Sequence, residues 1–280
     1  MTLPQPDLEP TLTNPGAERV SRVAALARRQ ARAKYGRFLV EGPQGVREAV
    51  RHASDAVRDL YLTPAAAQRH PEIWQEAGER GLYRHLVSEE VMAVMSTDAQ
   101  GVLAVADLPR LRGPQALAEA LAGARLVAVL TEAQDPGNAG TIIRVADAAG
   151  ADAVVLVKGS VEATSPKVVR STAGSLFHLP VVTGVSLEET TAALRAAGLA
   201  VLAADGRGSV PLFDAEAMLS GPAAWLLGNE AHGLSGQAVA AADAVVAIPI
   251  YGQAESLNVA AAATVCLYAS ARAQRLGAQN

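Results

Sequence analysis

Three short stretches concentrate residues suited to holding a polar ligand, and each follows an apolar run of strand length. TEAQDPGNAGTIIRVADAAG, from Thr131, places Asp135, Pro136, Gly137 and Asn138 in a turn and Arg144 on the helix that follows. LLGNEAHGLS, from Leu226, sets Gly228, Asn229, Glu230 and Gly233 directly after a run of strand residues. IPIYGQAESLNVAAAA, from Ile248, passes through a polar loop with Glu255, Ser256 and Asn258 into an alanine-rich helix, with Ser256 in the N-cap position. Turn geometry accounts for Gly, Ser and Asn in such places. The same residues also leave main-chain amides and carbonyls open to a ligand such as an adenine or a carboxylate. None of the three is a GxGxxG or a GxxxxGK[ST], which argues against dinucleotide and P-loop chemistry.

The elements that must position these loops are legible in the rhythm of the chain. From Arg125, near-continuous apolar runs at LVAVLTE, DAVVLVK, FHLPVVT, LAVLAAD, AAWLLG and AVVAIPI alternate with helical patterns. Parallel strands covered on both faces by helices require such runs. Ligands of open α/β sheets sit beyond the carboxyl ends of the strands, where all three loops fall. Before residue 108, strand-like runs at FLVEG, VRDLYLT, YRHLV and QGVLAVADL alternate with helical ones in a smaller α/β module. We therefore divide the chain into a domain at 14–108, a linker at 109–124 (PRLRGPQALAEALAGA) and a second domain at 125–276. The first dozen residues and the last few are expected to be disordered.

Half of the 280 residues are hydrophobic and 19% are charged, ample for two cores. No apolar run reaches the roughly 20 residues of a membrane helix, and MTLPQPDLEPTLTNPG lacks the pattern of a signal peptide. A cytoplasmic protein with no membrane partner is expected. Cys266 has no partner, and His52, His70, His85, His178 and His232 lack metal-ligand spacing, so no metal is expected. Charge is uneven. Glu18 to Arg51 holds nine basic residues against three acidic ones, +6, within a net charge of −4, leaving −10 elsewhere. That asymmetry is the footprint of phosphate binding, and Arg28, Arg29, Arg32 and Arg37 are its candidate phosphate contacts. Lys167, Arg170, Ser171 and Thr172 are further candidates for lining the path of the same ligand.

DPGNAGTIIRVADAAG, LLGNEAHGLS and IPIYGQAESLNVAAAA, in that order, resemble the three motifs of the SpoU (TrmH-type) RNA ribose 2′-O-methyltransferases of the SPOUT class. NPGAERVSRVAALARRQARAKYGRFLVEGPQGVREAV resembles the start of that family's substrate-binding module. The sequence departs from the pattern at Val145, Ala149 and Ile250, all apolar packing positions. The resemblance implies an N-terminal ribosomal-protein-like α/β RNA-binding domain and a C-terminal α/β trefoil-knot methyltransferase domain. It implies S-adenosylmethionine as cofactor, held by Leu227, Gly228, Ile248, Ile250, Leu257, Ser256 and Asn258. Arg144 is the implied catalytic arginine, supported by Asn138 and Glu230. It further implies a homodimer through the knotted domain and a structured RNA substrate, ribosomal RNA before transfer RNA. The readings from other classes are a catalytically silent RNA-binding protein and a methyltransferase acting on a protein or small molecule.

Overall fold

The computed structural model describes residues 9–109, 111–229 and 231–277. The chain splits into two compact units, one of Met1–Leu108 with Thr164–Phe177 and one of Pro109–Ala163 with His178–Asn280. The expectation of disorder at 1–8 and at the extreme C-terminus lies outside the described residues. Thr11 and Leu12, by contrast, are held: both backbone N–H groups donate to the Leu86 carbonyl, at 2.9 and 3.1 Å.

In the first unit the elements run α1 (Glu18–Ala25), α2 (Arg29–Tyr35), β1 (Arg37–Glu41), α3 (Pro43–His52), β2 (Val57–Leu62), α4 (Pro64–Arg69), α5 (Pro71–Glu79), β3 (Arg84–Leu86), α6 (Glu89–Met95) and β4 (Val102–Asp107). The sheet order is β1-β4-β2-β3, antiparallel except where β2 meets β3. Val20, Val23 and Leu26 of the α1 region pack with Leu39, Tyr61, Val91 and Met92 in one apolar core.

The basic segment is less free than its composition implies. Arg19, Arg37, Arg47 and Arg51 pair with Asp59, Asp107, Glu72 and Glu76, carboxylates that come from outside the segment. Arg22 pairs with Glu18 one turn away. Arg32 is 3% exposed, and its Nη1 donates to the carbonyls of Leu26 and Ala27 at 3.0 and 2.9 Å. It closes the C-terminal end of α1, where carbonyls lack helical partners. The reading of Arg32 as an RNA contact is therefore corrected: it is a buried structural cation. Arg28 and Lys34 are exposed, and the Lys34 ammonium lies 5.3 Å from the ring of Tyr35.

The second unit begins with α7 (Pro114–Ala120), inside the stretch read as a linker. Leu117 and Leu121 belong to the second core, and the Gly113 N–H donates to the Thr183 carbonyl at 2.9 Å. Residues 111–124 thus pack into this unit rather than merely connecting to it. The chain continues β5 (Leu126–Leu130), α8 (Pro136–Ala149), β6 (Ala153–Val157), α9 (Pro166–Ser171), β7 (Val181–Val185), α10 (Leu187–Ala196), β8 (Ala200–Ala204), β9 (Val210–Pro211), α11 (Glu216–Leu219), β10 (Ala223–Leu227), α12 (Gly236–Ala240), β11 (Ala244–Ala247) and α13 (Val259–Gly277). The sheet is parallel throughout, in the order β7-β6-β5-β10-β8-β11-β9. Each of the six apolar runs read from the sequence contributes a strand to it, FHLPVVT only from Val181 onward, while β9 was not among them.

The stretch Thr164–Phe177, which contains α9, packs with the first unit. Arg170 pairs there with Glu41 and with Asp98, and Phe177 stacks on Phe38 with ring centroids 6.5 Å apart. Thr172 is fully buried, and its hydroxyl donates to the Val169 carbonyl at 2.7 Å. Arg170 and Thr172 are thus packing and pairing residues rather than the RNA-path positions read for them.

Helix α13 buries Ala260, Ala263, Cys266, Leu267, Ser270, Ala271 and Ala273. Ser270 accepts a hydrogen bond from the indole of fully buried Trp225 at 2.9 Å, and burial pushes the Cys266 thiol up to about 12. Within one chain α13 is not covered all round, since Tyr268 and Leu276 stay 49% and 43% exposed.

Candidate active site

Because β5, β10, β8 and β11 are consecutive parallel neighbours, the loops that leave their carboxyl ends lie side by side. The β10 and β11 loops, with residues 204–207 at the end of β8, line a cavity of about 460 Å³, within the range of small-molecule sites. Gly228, Ile248, Ile250, Ser256, Leu257 and Asn258 all line it. Leu227 does not. Its side chain is 1% exposed, and its carbonyl accepts from the backbone N–H and hydroxyl of Thr131 at 2.9 and 3.0 Å.

The β10 loop is a rigid turn. Asn229 and Gly233 exchange backbone hydrogen bonds of 2.9 Å each, while the Asn229 Oδ1 accepts from the N–H groups of Ala231 and His232 at 2.8 and 3.3 Å. The Asn229 Nδ2 donates to the Glu132 carbonyl at 2.9 Å, tying this turn to the β5 loop. Glu132 takes φ 56 for that geometry, a left-handed conformation costly for a residue with a side chain. Gly228 is required by close approach, since a Cβ there would stand 2.4 Å from the Gly233 carbonyl carbon.

In the third loop the helix starts later than the sequence suggested. Asn258, not Ser256, caps α13: its Oδ1 accepts from the Ala260 and Ala261 N–H groups at 2.9 and 3.4 Å. The Asn258 Nδ2 donates to the Asn138 Oδ1 at 3.2 Å, and the Asn138 N–H donates to Asp135 Oδ1, the cap of α8, at 2.8 Å. Two sequence-predicted residues 120 positions apart are thus joined, and the first turns of α8 and α13 are locked together. Asn138 reaches Asn258 rather than Arg144. Arg144 is exposed on α8 and forms no hydrogen bond or ion pair among the described residues. Glu230 lies outside them.

Sequence reading overlooked the loop after β8. Asp205 and Arg207 both line the cavity, joined by Nε to Oδ1 at 2.9 Å and Nη2 to Oδ2 at 2.8 Å. The Arg207 hydrogen bond holds the Asp205 carboxyl below its usual range. The available signal was a polar DGRG directly after an apolar run. The chemistry of the lining suits a ligand with an apolar ring system and a cationic group: Ile248, Ile250 and Leu257 offer apolar faces and Glu255 a carboxylate, while the Asp205 carboxylate is taken up by Arg207.

Residues 125–268 match the family model described as the SpoU rRNA Methylase family, and residues 17–104 match the MRM3-like substrate binding domain. The chain is 37% identical over 239 residues, 85% of its own length and 89% of the relative's, to the 23S rRNA (guanosine(2553)-2'-O)-methyltransferase RlmP of Bacillus subtilis. Among solved structures it is similar to the SpoU methyltransferase AviRb from Streptomyces viridochromogenes in complex with AdoMet, with TM-score 0.77 and 31% identity over 93% of this chain and 98% of that one. It is likewise similar to the AdoMet-bound rRNA methyltransferase from Sinorhizobium meliloti, with TM-score 0.78 and 29% identity over 93% and 97% of the two chains.

Proposed function

The chain belongs to the SpoU rRNA methylase family, and from that premise we propose that its α8 arginine and its cavity carry methyl transfer to a ribose 2′-hydroxyl of 23S ribosomal RNA. It is an S-adenosylmethionine-dependent RNA 2′-O-methyltransferase. The observation that carries the placement is the cavity itself, bounded by two of the family's three motifs and braced through Asn138 and Asn229 to the remaining one.

When bound, S-adenosylmethionine supplies an electrophilic methyl group on a sulfonium. Gly228, Ile248, Ile250, Ser256, Leu257 and Asn258 would hold it, with apolar faces for the base and loop main chain for its polar edges. Arg144 stands outside this lining and uncommitted, and a guanidinium, which does not give up its proton in proteins, is a poor base. Its role is to orient the hydroxyl and a neighbouring phosphate and to stabilise developing alkoxide charge. For well-aligned reactants, positioning can supply up to roughly 7–11 kcal/mol of such a barrier. Asn138 acts through Asn258 on the cofactor loop, and Glu230 is retained as a partner of Arg144 or the ribose.

A second copy would pack on the exposed face of α13, where Tyr268 and Leu276 are uncovered, so we place the homodimer interface there. We place the enzyme in the cytoplasm with its proposed ribosomal RNA substrate; separately, no helix among the described residues is long and apolar enough to cross a membrane. The test is calorimetric titration with S-adenosylmethionine, together with mapping of 2′-O-methyl groups on RNA from cells with and without the protein. We expect cofactor binding and one 23S site that loses its methyl group. A lost methyl in transfer RNA, or no cofactor binding at all, overturns the reading.

RNA contact in the first unit falls to Arg28, Arg29 and Arg37, with Lys34 and Tyr35 exposed beside them. Arg28→Glu should leave the melting temperature unchanged, weaken RNA binding and lower the salt slope by about 0.7–0.9. Arg32→Ala should do the reverse. Releasing two carbonyls from their buried donor costs about 1–3 kcal/mol of stability, read as a lower denaturant midpoint with the RNA salt slope unchanged.

A further inference from the structure

The transfer releases a proton. The ribose oxygen bonds to the methyl carbon as the carbon–sulfur bond breaks, the bonding pair stays on sulfur, and the hydroxyl hydrogen must leave as H⁺. Among the described residues, four titratable side chains line the cavity: Asp205, Arg207, His232 and Glu255. Arg207 is a cation that spends Nε and Nη2 on Asp205. Asp205 has both oxygens engaged by Arg207, and that pairing weakens it further as a base. Glu255 is a carboxylate on an exposed loop, and carboxylates as a class hold a proton about two pK units more weakly than imidazole. His232 remains. Its backbone is fixed by the Asn229 turn, its N–H donating to Asn229 Oδ1 at 3.3 Å, and its side chain type is the one that exchanges protons near neutral pH.

Resting on the functional reading above, we infer that His232 is the proton acceptor of the reaction, taking the 2′-hydroxyl proton on an imidazole nitrogen and releasing it to solvent. The division of labour is then physical: Arg144, a permanent cation, stabilises negative charge, and His232 removes the proton. Asn229 is the positioning residue, since it holds both the turn and the first loop.

The test is the single-turnover rate of methyl transfer to ribosomal RNA, measured across pH 5 to 9 for the wild type, His232→Gln and His232→Ala. Calorimetry with S-adenosylmethionine and the ring-proton NMR signal of His232 are recorded alongside. The wild-type rate should fall as imidazole becomes protonated. His232→Gln should be about 100-fold slower near neutral pH, flat over that range, and unchanged within threefold in cofactor affinity. Added imidazole should restore part of the His232→Ala rate, and the His232 signal should shift when RNA is added. If the wild type transfers methyl and His232→Gln matches its rate and pH profile, this inference is overturned while the functional reading stands. A wild type that binds cofactor and transfers no methyl to ribosomal RNA sinks the functional reading instead.

Discussion

Arg144→Ala should lose about 100- to 1,000-fold in methyl transfer while its affinity for S-adenosylmethionine stays within threefold. Arg144 is exposed on α8 and makes no hydrogen bond or ion pair among the described residues, so its loss removes little from the fold. It does not line the cavity, so the cofactor should not register the change. On the proposed role, what disappears is the charge that stabilises the reacting oxygen, and removing one donor to a developing oxyanion costs about 2.7–4 kcal/mol. Arg144→Lys should recover only part of the rate, because an ammonium cannot bridge hydroxyl and phosphate with the planar fork of a guanidinium. Single-turnover kinetics and a calorimetric titration on the same preparations decide it. A fully active Arg144→Ala removes the arginine from the mechanism, and a large loss of cofactor affinity would move it into the pocket.

Gly228→Val should abolish measurable cofactor binding at concentrations that saturate the wild type. Any Cβ there falls 2.4 Å from the Gly233 carbonyl carbon, and 2.6 Å from both the Gly233 oxygen and the Leu234 nitrogen. These are backbone atoms and cannot swing aside, so the turn must open. Opening it breaks the paired Asn229–Gly233 hydrogen bonds and releases the wall carrying Asn229 and His232. Overpacking of this kind costs about 1–3 kcal/mol, or roughly 5- to 150-fold in affinity for the smallest added group, Gly228→Ala, and more for valine. Gly252→Ala is the control: its added Cβ meets nothing within 4 Å, and it should bind cofactor normally. Equal titration curves for Gly228→Val and the wild type would remove this turn from the pocket.

Much of the architecture was legible because it rests on local rules. Strands buried on both faces must be apolar at consecutive positions, so LVAVL, AVVLV and AAWLL announce themselves. The three motif loops were legible because glycine, asparagine and aspartate at the carboxyl ends of such strands carry a short-range chemical meaning. Asp135 as the cap of α8 follows from the same local logic.

Arg32 illustrates what was not legible. In sequence it is one of nine basic residues in a run, and only the return of its side chain to the carbonyls of Leu26 and Ala27 makes it a buried clasp. Its neighbours lose their apparent excess charge to Asp59, Glu72, Glu76 and Asp107, whose proximity depends on how helices and strands pack. Ser256 looked like a helix cap because hydroxyl caps are common, yet Asn258 holds the position because its amide also reaches Asn138, 120 residues earlier.

By itself, then, the sequence determined six of the seven strands of the larger sheet and the polar loops at their ends, because secondary-structure propensity and turn chemistry act over a few residues, and it singled out Arg144 through the motif it resembles. The tertiary structure alone decided that β10 inserts between β5 and β8 and that β11 lies beyond β8. That order sets the Asp205–Arg207 pair and His232 around the same cavity as residues 248–258, since strand order in a parallel sheet is chosen by how crossover helices pack over long sequence separations, which no local pattern encodes.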